Sequence, residues 1–125
     1  AKHPNRVQIV GVAEPRDYYR QHMIGNYDIP SSNTFTDWRQ AAEREKFADA
    51  VIITTQDAMH AEPAIAFAEK GYHILLEKIG RPAQECLFID DSLPNIQQAH
   101  TMGFKTIHFS SSEQLHLSLT EMGLL

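Results

Sequence analysis

Apolar residues fall along this chain in short dense runs, separated by longer stretches in which they recur every three or four positions. The runs are VQIVGVA (7–13), DAVIITT (49–55), ECLFIDD (85–91) and FKTIHFS (104–110). Each is too short for a typical helix, is mostly rich in Val and Ile or aromatics, and predicts a buried strand of the kind covered by helices. NTFTD (33–37) adds a shorter β-prone piece.

Between the runs lie segments of helical character. RDYYRQHMIGNY (16–27) closes near Gly25 and is followed by the turn-rich DIPSSN. Asp37 is placed to cap a helix over WRQAAEREKFA (38–48). QDAMHAEPAIAFAEKG (56–71) carries Pro63 in a first turn and Gly71 as its C-cap. SLPNIQQAHTMG (92–103) closes at Gly103, and Ser111 or Ser112 caps a last helix through SSEQLHLSLTEMG (111–123).

Residues 72–79 read two ways. As a helix, Ile65, Ala68, Tyr72, Leu75, Leu76 and Ile79 fall on one stripe, with Gly71 as a break between two helical pieces. As a strand, 72–77 leave only KIGRPAQ before ECLFIDD, too short for a parallel crossover. The helix is the expectation, and it gives five strands and five helices in alternation. That predicts a three-layer α/β domain spanning 1–125, with a mostly parallel, flavodoxin-like or Rossmann-like sheet in the order 2-1-3-4-5. In such a sheet Glu14, Thr55, Asp90 and Asp91 would gather at the carboxyl ends of the strands. The alternative has six strands, with 72–77 extended in a local antiparallel pair or in a segment exchanged between two chains.

At 125 residues, 42% of them apolar, the chain holds material for one core. Its net charge of −5 is scattered, which disfavours nucleic acid or an anionic membrane as partner. No run has the length of a bilayer span and the start AKHPNR is polar, so a cytoplasmic monomer or homodimer is expected. The lone Cys86, inside CLFI, reads as a buried structural thiol. The histidines, His73 among them, show neither HxxxH nor HxH spacing, and no zinc site is expected from spacing.

Two family resemblances overlap near the middle. VGVAEPRD, DWRQAAE and DAVIITTQDAMHAEPAIAFAEKGYHILLEK, within roughly 7–78, resemble the nucleotide-binding domain of the glucose-fructose oxidoreductase and inositol dehydrogenase family. The resemblance implies Glu14 as the acceptor for the adenosine ribose hydroxyls, Thr54 to His60 as lining of the nicotinamide pocket, and Lys78, after Glu77, as the catalytic-site lysine with His60 near it. Only six residues precede Val7, so the family's first strand and its glycine-rich phosphate turn have no counterpart in this sequence, and Ile79 stands where the family has proline.

LLEKIGRPAQECLFIDDSLPNIQQAHTMGFKTIHFSS resembles the C-terminal part of the haloacid dehalogenase superfamily. That implies Asp90 and Asp91 as Mg²⁺ ligands, with Asn95 steadying the turn that follows. The nucleophilic DxD of that superfamily is absent from the sequence. The two resemblances together imply an engineered or recombined chimera, 1–78 dehydrogenase-like and 79–125 dehalogenase-like. Its sites are vestigial, no cofactor is held firmly, and weak Mg²⁺ or NAD(P) binding is the most the remnants allow. A residual Mg²⁺-dependent hydrolase and a residual NAD(P)-binding oxidoreductase fragment are the alternatives.

Overall fold

The computed structural model describes residues 7–55, 59–76 and 82–124. The chain divides into two compact units, Ala1–Arg44 and Glu45–Leu125.

The first unit holds β1 (Val12–Ala13), α1 (Asp17–Tyr27), β2 (Thr34–Phe35) and α2 (Trp38–Glu43). β1 and β2 pair in parallel, Val12 opposite Thr34 and Ala13 opposite Phe35. α1 does not close at Gly25. It runs on to Tyr27 and ends where Asp28 turns left-handed, at φ 52°. A short polar side chain tolerates that conformation, so Asp28 stops the helix that Gly25 only weakens. α2 starts as its sequence predicts: the Asp37 carboxylate accepts from Arg39 N at 2.8 Å, and Gln40 Oε1 accepts from Asp37 N at 3.3 Å, completing a capping box. It stops well short of Ala48. Arg44 is extended, and its guanidinium donates to Ser32 O and Asn33 Oδ1 at 2.5 and 2.7 Å.

The second unit is a four-stranded sheet in the order β3-β4-β5-β6, made of β3 (Ala50–Ile53), β4 (His73–Leu76), β5 (Leu87–Asp90) and β6 (Lys105–His108). α3 (Ala61–Glu69) links β3 to β4, α4 (Leu93–Thr101) links β5 to β6, and α5 (Ser112–Glu121) follows. Ser111 Oγ caps α5 by accepting from Gln114 N at 3.1 Å. β3–β4 and β5–β6 are parallel, whereas β4–β5 is antiparallel.

This corrects the expected helix over 72–79 and the single five-stranded sheet in the order 2-1-3-4-5. The described residues form six strands in two sheets of two and four, and residues 73–76 are extended. The cause lies at Gly71, whose φ of +84° ends α3. Gly71 N donates to Ala68 O at 3.0 Å and Tyr72 N to Phe67 O at 3.1 Å, the paired bonds of a Schellman motif. The chain then leaves in an extended direction. Ile74 and Leu76 alternate inward, while His73 and Leu75 are half-buried. The short connection that rules out a parallel neighbour is met by antiparallel pairing instead.

The core of this unit is built from Ile53, Ile74, Leu76, Leu87, Ile89 and Ile107 of the strands, with Phe67, Leu115 and Leu119 from α3 and α5, which pack on each other. Cys86 is buried as expected.

Candidate functional site

Glu14 follows directly after β1, and its backbone N–H donates to Phe35 O at 3.1 Å, extending the β1–β2 ladder by one bond. The carboxylate thus stands at the carboxyl end of a parallel pair, where α/β sheets bind ligands. Its two oxygens are taken up by its own neighbour: Arg16 Nε donates to Oε1 at 2.8 Å, Arg16 Nη2 to Oε2 at 2.9 Å and Arg16 N to Oε1 at 2.9 Å. This fork holds the Glu14 carboxyl below the ordinary carboxylate range, against the opposing effect of partial burial. A ribose diol would have to share or displace the guanidinium.

In the second unit, Thr54 and Thr55 follow β3, and His60 is buried just before α3. Thr55 Oγ1 lies 2.9 Å from His60 Nδ1 and donates toward Met59 O at 3.2 Å. Thr55 and His60 are therefore brought together, closing the β3–α3 turn. Glu77, Lys78 and Ile79 lie outside the described residues, as does the 56–58 part of the Thr54–His60 segment.

Asp90 ends β5 and is 2% exposed. Asn95 Nδ2 donates to its Oδ2 at 2.7 Å and Ser92 N to its Oδ1 at 3.2 Å. Burial alone would raise the Asp90 pKa, but these donors, with His73 beside them, bring it below the usual range. Asp91 is exposed, and its carbonyl lies 2.8 Å from His108 Nε2.

The antiparallel register brings in a residue that sequence spacing leaves out. Ile74 faces Ile89, Leu75 faces Phe88 and Leu76 faces Leu87, so the next pair along the ladder is His73 and Asp90. His73 Nδ1 lies 2.8 Å from Asp90 Oδ1, an ion pair whenever the imidazole is protonated, and is one of the contacts that hold the Asp90 carboxyl down. One ligand atom each from His73, Asp90 and Asp91 lies within 4.8 Å of the others. A depression of about 10 Å³, room for one water, borders the cluster between Ala68, Gly71, Tyr72, Ile89 and Phe109.

The same register separates what the expected fold would gather. β5 runs opposite to β3 and β4, so Thr54 and Thr55 stand at one end of the sheet and Asp90 and Asp91 at the other. The level of Asp90 differs from that of Ile53 by three ladder steps, about 10 Å along the strands. Chemistry shared between the Thr55–His60 turn and the Asp90–Asp91 pair is excluded by that distance.

The parallel β3-α3-β4 and β5-α4-β6 units define an α/β protein of Rossmann-like type. The model of the oxidoreductase family with an NAD-binding Rossmann fold matches residues 1–84. The chain therefore belongs to that oxidoreductase family. No curated protein and no solved structure matches it at a significant level. No described helix is long and apolar enough to cross a membrane.

The fit to the family's dinucleotide is partial. Glu14 stands at the carboxyl end of β1 with its carboxylate held by Arg16, and Thr55 and His60 meet after β3. A phosphate cradle is missing among the described residues: the left-handed glycines Gly71, Gly103 and Gly123 all follow helix ends rather than open them.

Proposed function

We propose that the protein is an NAD(P)-binding piece of the oxidoreductase family, recombined near residue 78 with a second α/β piece, and that its retained chemistry is weak nucleotide binding rather than turnover. The family match over residues 1–84 carries this reading. Two features support it. Glu14 directly follows β1, the position that the resemblance gives to the adenosine ribose contact, and the sheet reverses direction between β4 and β5, close to the proposed join. Two independent parallel units spliced end to end would meet in such a reversal. The dehalogenase resemblance of the second piece rests on the sequence motif around Asp90, Asp91 and Asn95 alone. A hydrolase reading lacks the DxD nucleophile that such chemistry needs.

Calorimetric titration of the whole chain with NAD and NADP tests the nucleotide reading. Saturable binding of at least one of them is expected, in the range on the order of 0.1–10 mM because the described residues offer no phosphate cradle, with Glu14→Ala weakening it several-fold. Absence of saturation for both nucleotides, or an affinity indifferent to Glu14→Ala, rejects the reading.

A further inference from the structure

Glu14 and Arg16 each keep hydrogen-bonding capacity after they have paired. An ionised carboxylate has about four lone-pair positions, and three are taken: Oε1 accepts from Arg16 N and Nε, and Oε2 accepts from Arg16 Nη2. About one acceptor position is left, on Oε2. An adenosine ribose with a free diol brings two hydroxyl donors, so one of them finds no acceptor unless the guanidinium gives way.

The guanidinium is held in two ways. Nε and Nη2 form a side-on fork with the carboxylate, and Cζ lies 4.3 Å from the centroid of the Tyr19 ring. The ring contact fixes the plane of the group and the fork fixes its rotation within that plane. Of the five N–H donors of an arginine side chain, the fork uses two, which leaves three. Among those three is the parallel pair on Nη1 and Nη2, an edge that matches two oxygens of a phosphate. The Arg16 side chain is 67% exposed, so a ligand can reach it. The neighbouring charges are already engaged. Arg20 donates to Asp17 Oδ1 at 2.6 Å and to the carbonyls of Glu14 and Pro15, which balances Asp17 with its own partner. A phosphate beside a bare carboxylate is repelled, but here the guanidinium offsets the charge of Glu14.

We infer that Arg16 sets the choice of nucleotide at this site, favouring an adenosine ribose phosphorylated at its 2′ position, as in NADP, over the free diol of NAD. The inference rests on the nucleotide reading of Glu14 given above. The 3′-hydroxyl donates to the remaining position on Oε2, and the 2′-phosphate accepts from Nη1 and Nη2 of Arg16, with the fork and the Tyr19 contact left in place. A free carboxylate at the end of such a strand favours NAD by holding the 2′-hydroxyl. The pairing of Glu14 with Arg16 reverses that preference.

The test is calorimetric titration of the whole chain and its variants with NADP and with NAD. NADP should bind the parent on the order of tenfold more tightly than NAD. Arg16→Gln should abolish the preference by weakening NADP while leaving NAD unchanged or tighter, because it removes the partner of the phosphate and frees Glu14. Arg16→Lys keeps the charge without the two edges and should retain only part of the preference. Lys105→Gln, at an exposed position of β6, should change neither affinity. Trp38 fluorescence and far-UV circular dichroism establish that each variant is folded. NAD binding the parent as tightly as NADP overturns the inference and leaves the nucleotide reading standing. So does a preference that survives undiminished in Arg16→Gln or Arg16→Lys, or one that Lys105→Gln removes. Saturation of the parent by neither nucleotide overturns both.

Discussion

At the residue scale the carboxylates behave according to their donors rather than their burial alone. Glu14 is only partly shielded, yet the Arg16 fork stabilises its ionised form, so its folded-state pKa lies below the unfolded one. The resulting stabilisation is fully present above the ordinary carboxylate pKa and is lost as pH falls through the lowered value. A carbon-13 NMR titration of the Glu14 carboxyl should show that lowered midpoint, and Arg16→Gln should move it upward; an unmoved midpoint would mean that Arg16 is not the cause. Asp90 depends on Asn95 in the same way. Asn95→Ala leaves one oxygen of a nearly fully buried carboxylate without its 2.7 Å donor, and should cost about 1–3 kcal/mol in urea unfolding. A loss within error of zero would show that water replaces the amide. The pair Asp90 and Asp91 was legible in the sequence because neighbouring aspartates at a strand end stand out locally. His73 was not, because its partnership with Asp90 exists only through the β4–β5 register, and no spacing within the sequence encodes that register.

At the element scale, the starts of helices were more legible than their ends. The Asp37 cap and the Ser111 cap depend on residues within one turn, and both form as the local pattern predicts. Gly71 is different. Its sequence context allows either a break between two helical pieces or a full stop, and the choice is made by tertiary pairing. Ile74 and Leu76 are buried by facing β3 and β5, which a helix over 72–79 could not do with the same residues. The full stop requires a left-handed backbone at Gly71. A Cβ there would meet nothing within 4 Å, so Gly71→Ala tests the backbone conformation alone. It should destabilise the fold by about 1–2 kcal/mol, with Gly71→Asn costing less. Equal stability of Gly71→Ala and the parent would contradict the Schellman end of α3.

At the scale of the whole molecule, the described strands fall into two sheets, β1–β2 in the first unit and β3 to β6 in the second. The two units are unequal in what holds them. Ile29, Phe35 and Ala41 are the only buried apolar side chains described in the first unit, and α1 buries none. The second unit has a four-stranded sheet with Ile74, Ile89, Leu115 and Leu119 fully covered. Burial of that extent is the main favourable contribution to folding, so the second unit should outlast the first under denaturant. The single tryptophan, Trp38, opens α2 and reports on the first unit alone. Its fluorescence should change at lower urea than the far-UV circular dichroism, which is dominated by the elements of the second unit. In hydrogen exchange, the amides of Ile74 and Ile89 should be the slowest of the chain. Coincident fluorescence and dichroism curves would instead mean that the two units unfold as one cooperative body, and that the thin core of the first unit does not set its stability.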